Sequence, residues 1–455
     1  MSDTITIRQG LDLPIGGAAE KLLTDARSIT TYAVKPTDFV GLTPRLLVEE
    51  GDVVAVGDSL FCDKNDERIR FTSPVSGQVK AIVRGEKRKL LEVVVEADFK
   101  SSPTIALPQN AEDIKAAMLQ CGLWTMLRQR PFGTVANPDD QPKAVFVSAF
   151  SSTPLAPDYD YIMQGKEEWL KKGLEALTQL TEGKVHICFK PEQRLAKQLP
   201  TEQLNNSQLT THYINGPHPS GNIGTQIAHI DPINKGEVVW TMNLQDVAVL
   251  GELVTTGIYN PEKVIAVAGP NIKNPHYYRV KAGACLSEIT KAQLLNEDNT
   301  KTDRVISGDI LSGTQIALDG FLGAYDDLVS IIPEGDYYDF MGWLMPGFKK
   351  FSFSRTFLSG FLPKMLKWKF DTNTHGDERP LVFTGNFERI FPFDIYPTQL
   401  IKACIIGDIE LMENLGIYEV EPEDFALCEF IDTSKTDIQA IIRKALEKLR
   451  KEALP

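Results

Sequence analysis

Two stretches, residues 48–61 and 73–97, constrain the fold more than any other part of this 455-residue chain. Each consists of short valine-rich runs separated by tight-turn sequences. Gly51-Asp52 and Gly57-Asp58 supply the turns in the first stretch, and an SPVSG corner opens the second. Tight antiparallel hairpins require β-branched runs between such turns. The sequence therefore predicts a compact β-sandwich near the N-terminus.

The two stretches resemble the halves of lipoyl and biotinyl carrier domains, whose modified lysine lies at a hairpin tip before the second half. In this chain the position is Asp66, with Asn65 and Glu67 beside it. Lys64 is two residues out of register and would point away from the tip. We therefore expect a lipoyl/biotinyl-like sandwich that lacks the lysine needed for acyl or carboxyl transfer.

Beyond the sandwich the pattern changes to alternating strands and helices. A buried-strand run at 144–150 is followed by an amphipathic helix at 166–180 and a second strand at 184–189. Strands connected through a helix pack in parallel, and the helix covers one face of the sheet. We therefore predict a Rossmann-like α/β domain over residues 105–257.

The rest of the chain contains two further blocks. Short strands such as KVIAVAG and YYRVKAG alternate with turns in the first block, which predicts a small β-grasp-like domain at 258–334. The second block ends in a charged helix, so residues 335–455 are predicted to form a mainly helical docking region. With 1–104 as the N-terminal region, the expected fold class is α+β multidomain.

Composition limits the classes of function. A net charge of −13 disfavours nucleic acid, because a duplex binder needs a basic face. We see no secretory signal, and no run reaches the roughly 18 apolar residues of a membrane-spanning helix. The six cysteines are scattered without a CxxC spacing, so the local patterns of zinc and iron–sulfur sites are absent. We predict no metal site.

Local cues for catalysis are weak. The small residues at 220–226 could bind an anion at a helix start, but a plain helix N-cap in a loop is favoured. His218 in GPHPSG is expected to be a solvent-exposed turn histidine. The adjacent carboxylates Asp326 and Asp327 are expected to lie in a solvated loop. Because no nucleophile is paired with a base, we predict no catalytic residue.

The segment from 340 to 370, called here the aromatic–basic segment, reverses the charge of the chain. It contains six lysines and arginines among aromatic residues, and no acidic residue. This composition favours a surface that meets anionic headgroups or the loops of a membrane protein over a core helix pair with snorkelling lysines. The predicted docking residues are Trp343, Lys349, Lys350, Phe351, Arg355, Phe361, Lys367 and Trp368.

Several long strings in one order identify a family resemblance over essentially the whole chain. They include GLDLPIGG, GLWTMLRQRPFG, GPHPSGNIGTQIAHIDP, WTMNLQDVAVLGELVTTG and RVISGDILSG. Together with the lysine-less sandwich, these strings resemble the A-subunit family of Na+-translocating NADH:quinone reductases. That family is similar to the C subunit of Rnf complexes and, distantly, to the flavin subunit of complex I.

The resemblance implies a peripheral protein on the cytoplasmic face of the bacterial inner membrane. Its partners would be the other five subunits, chiefly the membrane-embedded B subunit, in a complex that couples NADH oxidation and ubiquinone reduction to Na+ export. The loop that matches the flavin site of the relatives has Leu123, Trp124 and Met126 in place of small residues. Such side chains would block close approach of a phosphate, so we expect no redox cofactor in this chain.

Ubiquinone is the one small molecule that this resemblance brings near the chain. Arg128 and Arg130 could donate hydrogen bonds to quinone carbonyls beside Phe132, and a purely structural loop is the other interpretation. The alternative function is a free-standing flavin- or NADH-binding dehydrogenase. That alternative requires a glycine-rich nucleotide loop, which the sequence lacks.

Overall fold

The computed structural model describes residues 4–27, 29–100, 104–199, 207–294, 303–338, 341–342, 345–348, 350–361 and 367–453. The strands within these ranges are β1 (Thr4–Thr6), β2 (Glu20–Asp25), β3 (Thr31–Val34), β4 (Pro44–Leu46), β5 (Val53–Val54), β6 (Ser59–Asp63), β7 (Arg70–Thr72), β8 (Gly77–Arg84), β9 (Leu90–Ala97), β10 (Arg128–Arg130), β11 (Thr134–Val135), β12 (Ala144–Ser148), β13 (Lys184–Phe189), β14 (Leu209–Asn215), β15 (Val239–Thr241), β16 (Glu262–Ala268), β17 (His276–Lys281), β18 (Asp303–Ser307), β19 (Thr314–Ile316) and β20 (Leu328–Pro333). The α-helices are α1 (Ala111–Cys121), α2 (Tyr159–Ile162), α3 (Glu167–Gln179), α4 (Arg194–Gln198), α5 (Ile223–Ile230), α6 (Leu244–Thr256), α7 (Ser287–Gln293), α8 (Pro397–Ile406), α9 (Ile409–Asn414), α10 (Ala426–Ile431) and α11 (Ile438–Ala453).

The N-terminal sandwich consists of two small antiparallel sheets. One has the strand order β3-β9-β8-β5 and the other the order β4-β6-β7. Buried apolar residues of both sheets, such as Val79 and Phe71, share one core. The turn between β6 and β7 contains Asp66, whose carboxylate accepts hydrogen bonds from Arg68. The hairpins predicted from the valine-rich runs are therefore present, and Asp66 lies in a hairpin turn.

The second unit is built on a seven-stranded sheet with the order β1-β14-β13-β12-β15-β10-β11. The first five strands of that order run parallel, and β10 and β11 continue the sheet antiparallel. Helices α1, α3 and α6 share the core on one face with Val145 and Ile187. On the opposite face, Ile227 of α5 packs against Phe146. The predicted strand–helix–strand unit is observed.

Two glycines allow α3 and α6 to cross at close range. A Cβ atom on Gly251 would lie 1.7 Å from the carbonyl oxygen of Trp169, and one on Gly173 would lie 1.9 Å from that of Val247. Because no side chain fits at such a distance, either glycine can be replaced only if the helices move apart. This crossing fixes the helical layer that covers the sheet.

A six-stranded mixed sheet follows, with the order β19-β18-β20-β16-β17-β2. Its edge strand β2, Glu20–Asp25, precedes the sandwich in the chain and pairs with β17 in parallel. Strand β1 pairs in parallel with β14 of the seven-stranded sheet. The first two strands of the chain, β1 and β2, therefore belong to two different sheets whose other strands follow the sandwich in sequence.

Residues 397–453, called here the C-terminal unit, contain α8 to α11 around a hydrophobic core that they share with buried residues of 387–393. Phe132 and Ala228 of the second unit pack against that core, so the C-terminal unit lies beside α5 on the second face of the sheet. In the described part of 335–396, helical structure is limited to short 3₁₀ turns at Leu358–Phe361 and Phe387–Arg389. None of the described helices is long and apolar enough to cross a bilayer.

Candidate functional site

The centre of the candidate site is a buried arginine that contacts three carboxylates. Arg130, on β10, is 2 % exposed, and its Nε lies 3.4 Å from Oε1 of Glu421. One terminal nitrogen donates to Glu423 at 2.6 Å and the other to Asp424 at 3.2 Å. All three acidic residues belong to the C-terminal unit. These contacts, called here the Arg130 joint, connect the sheet to that unit.

Arg128 adds a second cation to the joint. Its side chain is 25 % exposed and donates to Oε2 of Glu421 at 3.1 Å. The guanidinium carbon also lies 5.1 Å from the centre of the Tyr325 ring. The Tyr325 hydroxyl donates to the carbonyl oxygen of Thr125 at 2.9 Å. Arg128 thus links the C-terminal unit to the loop that precedes β20.

Phe132 lies in the turn between β10 and β11, with a φ of 86° that non-glycine residues seldom adopt. Its carbonyl oxygen accepts a hydrogen bond from Arg443 of α11 at 2.8 Å. Its ring meets Tyr418 edge-on, with the centroids 6.1 Å apart. The residues expected near quinone, Arg128, Arg130 and Phe132, are therefore together and engaged with partners inside the chain. Their contact with quinone stays a prediction.

Burial and the arginines act in opposite directions on the carboxylates of the joint. Burial raises the pKa of Asp424 to about 7, although Arg130 acts to lower it. Burial also acts to raise the pKa of Glu423, but Arg130 and Arg128 outweigh it, so that this pKa lies below its usual value. The two neighbouring carboxyl groups therefore differ in how strongly they hold a proton.

His218 is buried, which contradicts the expectation of a solvent-exposed turn histidine. It is 2 % exposed, and its Nδ1 lies 3.1 Å from the hydroxyl oxygen of Ser152. Its amide donates to the carboxylate of Asp12 at 2.9 Å. Burial lowers the pKa of its imidazole. The N-terminal segment covers this loop, and sequence neighbours give no indication of that contact.

The adjacent carboxylates Asp326 and Asp327 are half-buried, so the expectation of a solvated loop was also wrong. Asp326 accepts from Ser307 at 2.7 Å, and Asp327 accepts from the hydroxyl of Tyr159. Burial raises the pKa of Asp327 to about 6. The other loop, at 220–226, leads into α5 as expected of a helix start, although the Asn222 side chain makes no capping hydrogen bond.

A small cavity of about 60 Å³ lies between the sandwich, the second unit and the six-stranded sheet. Within it the ammonium of Lys35 lies 3.3 Å from a carboxylate oxygen of Asp38. Met126 of its lining lies two residues before Arg128 in the chain, and nothing in the sequence indicated the cavity. Its lining includes Lys35, Asp38, Phe39, Phe71, Thr125 and Met126.

Two of the predicted docking residues face inward. The ring of Phe351 packs 6.4 Å from that of Trp368 and 5.9 Å from that of Phe430 in the C-terminal unit. The Trp368 amide donates to the carbonyl oxygen of Pro14 at 2.6 Å. These two aromatic residues therefore anchor the aromatic–basic segment to the body of the protein.

Other members of the aromatic–basic segment lie at the surface. Phe361 is 81 % exposed, and Arg355 and Lys367 are exposed as well. Lys350 is half-buried and donates to the carbonyl oxygen of Gly342 at 3.1 Å. Trp343 and Lys349 lie outside the described residues. Further exposed apolar residues nearby are Tyr337, Tyr338, Met341, Met345, Phe348 and Leu358.

Comparison with known proteins matches three consecutive parts of the chain to one family. The NqrA N-terminal barrel-sandwich hybrid domain matches residues 5–98, and the NqrA second alpha/beta domain matches residues 109–259. The NQRA C-terminal domain matches residues 264–317. The chain belongs to the NqrA family. The family match confirms the predicted N-terminal sandwich and the α/β second domain.

Full-length relatives support the same assignment. The A subunit of the Na(+)-translocating NADH-quinone reductase of Yersinia pseudotuberculosis serotype I is 39 % identical over 456 residues, covering 98 % of this chain and 100 % of the relative. The protein of that name from Neisseria meningitidis serogroup B is 40 % identical over 457 residues, with the same coverage. The resemblance inferred from the sequence strings is therefore confirmed.

A solved structure is similar at a much lower level. It is the NAD+-reducing [NiFe]-hydrogenase in the air-oxidized state, with 14 % identity and a TM-score of 0.37. The likeness covers 77 % of this chain and 69 % of that one, and at this score nothing further follows from it.

Sequence reasoning missed the acidic half of the joint in this NqrA family member. Glu421, Glu423 and Asp424 follow one another around Pro422 in a charged run that resembles an exposed loop. A signal was available, because Glu421 and Asp424 have the spacing of a capping box, and the structure contains both of its hydrogen bonds. That spacing predicts a helix start but gives no indication of Arg130.

Proposed function

We propose that this chain acts as the A subunit of a Na+-translocating NADH-quinone reductase, which couples NADH oxidation and ubiquinone reduction to Na+ export. The observation that carries the proposal is similarity to proteins of that name over 98 % of the chain. The chain would support assembly and the quinone step without a redox centre of its own. The blocked loop at Leu123 and Trp124, both 1 % exposed, supports this division of work.

We also propose a finer fold for the parts of the chain that follow the sandwich. We take the second unit to be a Rossmann-like domain without a flavin loop, because five parallel strands lie between layers of helices. The six-stranded sheet is taken to be a β-grasp-like domain, and residues 335–455 a docking region. Because β2 lies at the edge of this sheet but comes from residues 20–25, the sheet is not formed by residues 258–334 alone.

The partners would be the other five subunits, chiefly the membrane-embedded B subunit, at the cytoplasmic face of the bacterial inner membrane. Support comes from the exposed part of the aromatic–basic segment, where Phe361 and Phe348 are 81 % and 59 % exposed. Exposed apolar side chains beside lysines suit a partner with an apolar, acidic surface. Phe351 and Trp368 would hold that surface in place from beneath.

Docking is tested by changing only its exposed members. The variant combines Phe361→Ser, Lys367→Glu and Lys369→Glu, all at exposed positions of the segment. We expect recovery of the membrane-embedded partners with this chain to fall about tenfold, the factor that corresponds to 1.4 kcal/mol of lost binding free energy. The measurement is co-purification of the assembled complex from membranes.

A matched control reverses the charge at two other exposed lysines through Lys89→Glu and Lys444→Glu. Lys89 lies on the sandwich and Lys444 on α11. Recovery of the complex with the control should equal that of the wild type. If the docking variant also yields the intact complex in full, the aromatic–basic segment is not the docking surface.

The quinone would bind near Arg128, Arg130 and Phe132. Arg128 supports this placement best, because its side chain is partly exposed and its guanidinium carbon lies 5.1 Å from the centre of the Tyr325 ring, the residue that follows Ala324 of the cavity lining. Arg130 is already committed to three carboxylates, so its role would be to position β10. The 60 Å³ cavity is well below the roughly 300 Å³ of ordinary ligand sites, so a ring could enter only if the cavity widens.

A photoreactive ubiquinone analogue applied to the assembled complex tests this placement. We expect covalent label in the peptide that spans 122–135, and excess unmodified ubiquinone should suppress it. An Arg128→Leu complex, which loses the partly exposed donor, should be labelled more weakly there. Label confined to other subunits would remove quinone binding from this chain while leaving its role in assembly untouched.

A further inference from the structure

The Arg130 joint contains more carboxylates than its two arginines can fully satisfy. Oδ2 of Asp424 accepts from the amide of Glu421 at 2.9 Å and from Arg130 at 3.2 Å. Its other oxygen, Oδ1, is buried and makes no hydrogen bond to any described residue. An unpaired anionic oxygen at a desolvated position is costly, whereas a neutral carboxyl group is tolerated.

The backbone of α5 closes the space around that oxygen. A Cβ atom on Gly224 would lie 2.4 Å from Oδ1 of Asp424 and 2.5 Å from a terminal nitrogen of Arg130. Glycine therefore lets the carboxyl group sit against the first turn of the helix. Once the C-terminal unit lifts away from the sheet, the same carboxyl group would meet water.

We propose that Asp424 is the proton-binding group of the joint: it is neutral while the C-terminal unit is seated on the sheet, and it releases its proton when that unit separates. The inference concerns this chain alone and does not depend on the proposed function.

The charged groups around Asp424 come from several elements. Arg128 and Arg130 face it from β10, while Glu421 and Glu423 flank it within its own 3₁₀ turn. Glu423 and Glu421 raise the affinity of Asp424 for a proton, and Arg130 lowers it.

Further charges surround the joint. Arg443 of α11 is affected by Glu421 and Glu423, and His218 lies within reach of the charges of Asp309 and Asp12. A proton held on Asp424 removes one negative charge from the joint, in line with the pKa of about 7 produced by its burial.

The expected pH dependence follows from proton linkage. The pKa of Asp424 is raised in the seated state and returns to roughly 3.9 when the group is exposed to water. Between about pH 4 and pH 7 the seated state therefore binds one proton more than the separated state. Separation should become up to about tenfold more favourable per pH unit across that window, and independent of pH above it.

Hydrogen exchange of the α11 amides, corrected for the intrinsic rate at each pH, measures this separation in the full chain. Wild type should show the rising opening constant, and Asp424→Asn, which mimics the neutral acid, should show none. Asp394→Asn, at an exposed carboxylate in the segment just before α8, is the control and should follow the wild type. Equal slopes in wild type and Asp424→Asn would overturn the proposal.

A second variant keeps the test decisive if Asp424→Asn does not fold. Glu423→Gln removes a neighbouring negative charge, so Asp424 should lose its proton at a lower pH and the window should end earlier. Infrared spectroscopy follows the proton through the carbonyl band of the protonated acid, and the component that moves to lower pH in Glu423→Gln is assigned to Asp424, because Asp327 also has a pKa of about 6. If the upper end of the pH window is the same in Glu423→Gln as in the wild type, and no component of the carbonyl band moves to lower pH, the assignment is also refuted.

Discussion

At the scale of single residues, the two arginines of the joint differ in exposure and therefore in the contacts that they can make. Arg128 and Arg130 are two residues apart on one short strand, yet their side chains are 25 % and 3 % exposed. The more exposed arginine keeps access to the surface and an aromatic neighbour. The buried one is matched by three carboxylates. Only the first can offer a donor to a ligand without breaking an ion pair in the buried part of the joint.

Loss of the buried arginine should be strongly destabilising. In Arg130→Gln the carboxylates of Glu421 and Glu423 would lose the guanidinium between them, and Glu421 would keep only Arg128 as a cationic partner. Breaking a buried pair in this way typically costs about 3–5 kcal/mol of unfolding free energy. Urea unfolding followed by circular dichroism measures the loss.

Arg70→Gln is the matched control, because Arg70 is exposed on β7. Its effect should stay within about 0.5 kcal/mol, as for most surface substitutions. A similar small effect for Arg130→Gln would mean that the joint contributes little to holding the two units together.

At the scale of elements, local patterns are reliable wherever the neighbours that bury an element are close in sequence. The helix predicted at 166–180 is observed as Glu167–Gln179, because the hydrophobic face and the charged face were both legible. The hairpins of the sandwich were equally clear. The terminal helix α11 belongs to this class, with buried apolar residues at 438, 442, 446 and 449.

That apolar stripe of α11 leads to a prediction for the C-terminal unit. Leu446 is 1 % exposed within the core of the unit, so Leu446→Ala should lower the free energy of unfolding by about 2–5 kcal/mol. Lys444→Ala, at an exposed position of the same helix, should cost under about 0.5 kcal/mol. Thermal unfolding of the two variants under one condition gives the comparison. Equal stability of both would show that α11 is not held by this core.

At the scale of the whole molecule, the units are interleaved rather than strung along the chain. The first strand joins the seven-stranded sheet and the second joins the six-stranded sheet. The C-terminal unit then packs beside α5 on the same face of the seven-stranded sheet. Domain boundaries drawn in chain order therefore do not coincide with the hydrophobic cores, because strands from the first 25 residues belong to sheets formed later in the chain.

The whole-molecule prediction concerns cofactors. We expect the purified chain to be colourless, with the intact mass given by its sequence, because the flavin-type loop is filled by Leu123 and Trp124 and the hairpin tip carries Asp66. A visible absorption spectrum and a mass spectrum provide the two measurements. A flavin band in stoichiometric amount would favour the free-standing dehydrogenase, and added mass at the sandwich would indicate a carrier domain.

The sequence by itself determined the sandwich hairpins, the strand–helix–strand unit, the family and the grouping of Arg128, Arg130 and Phe132. Each of these depends on residues that are close together or on strings that occur in order. Only the tertiary structure decided that His218 is buried and that Arg130 meets Asp424, which is 294 positions away. Burial of a polar group depends on which distant segment covers it, and the order of residues around that group carries no record of the contact.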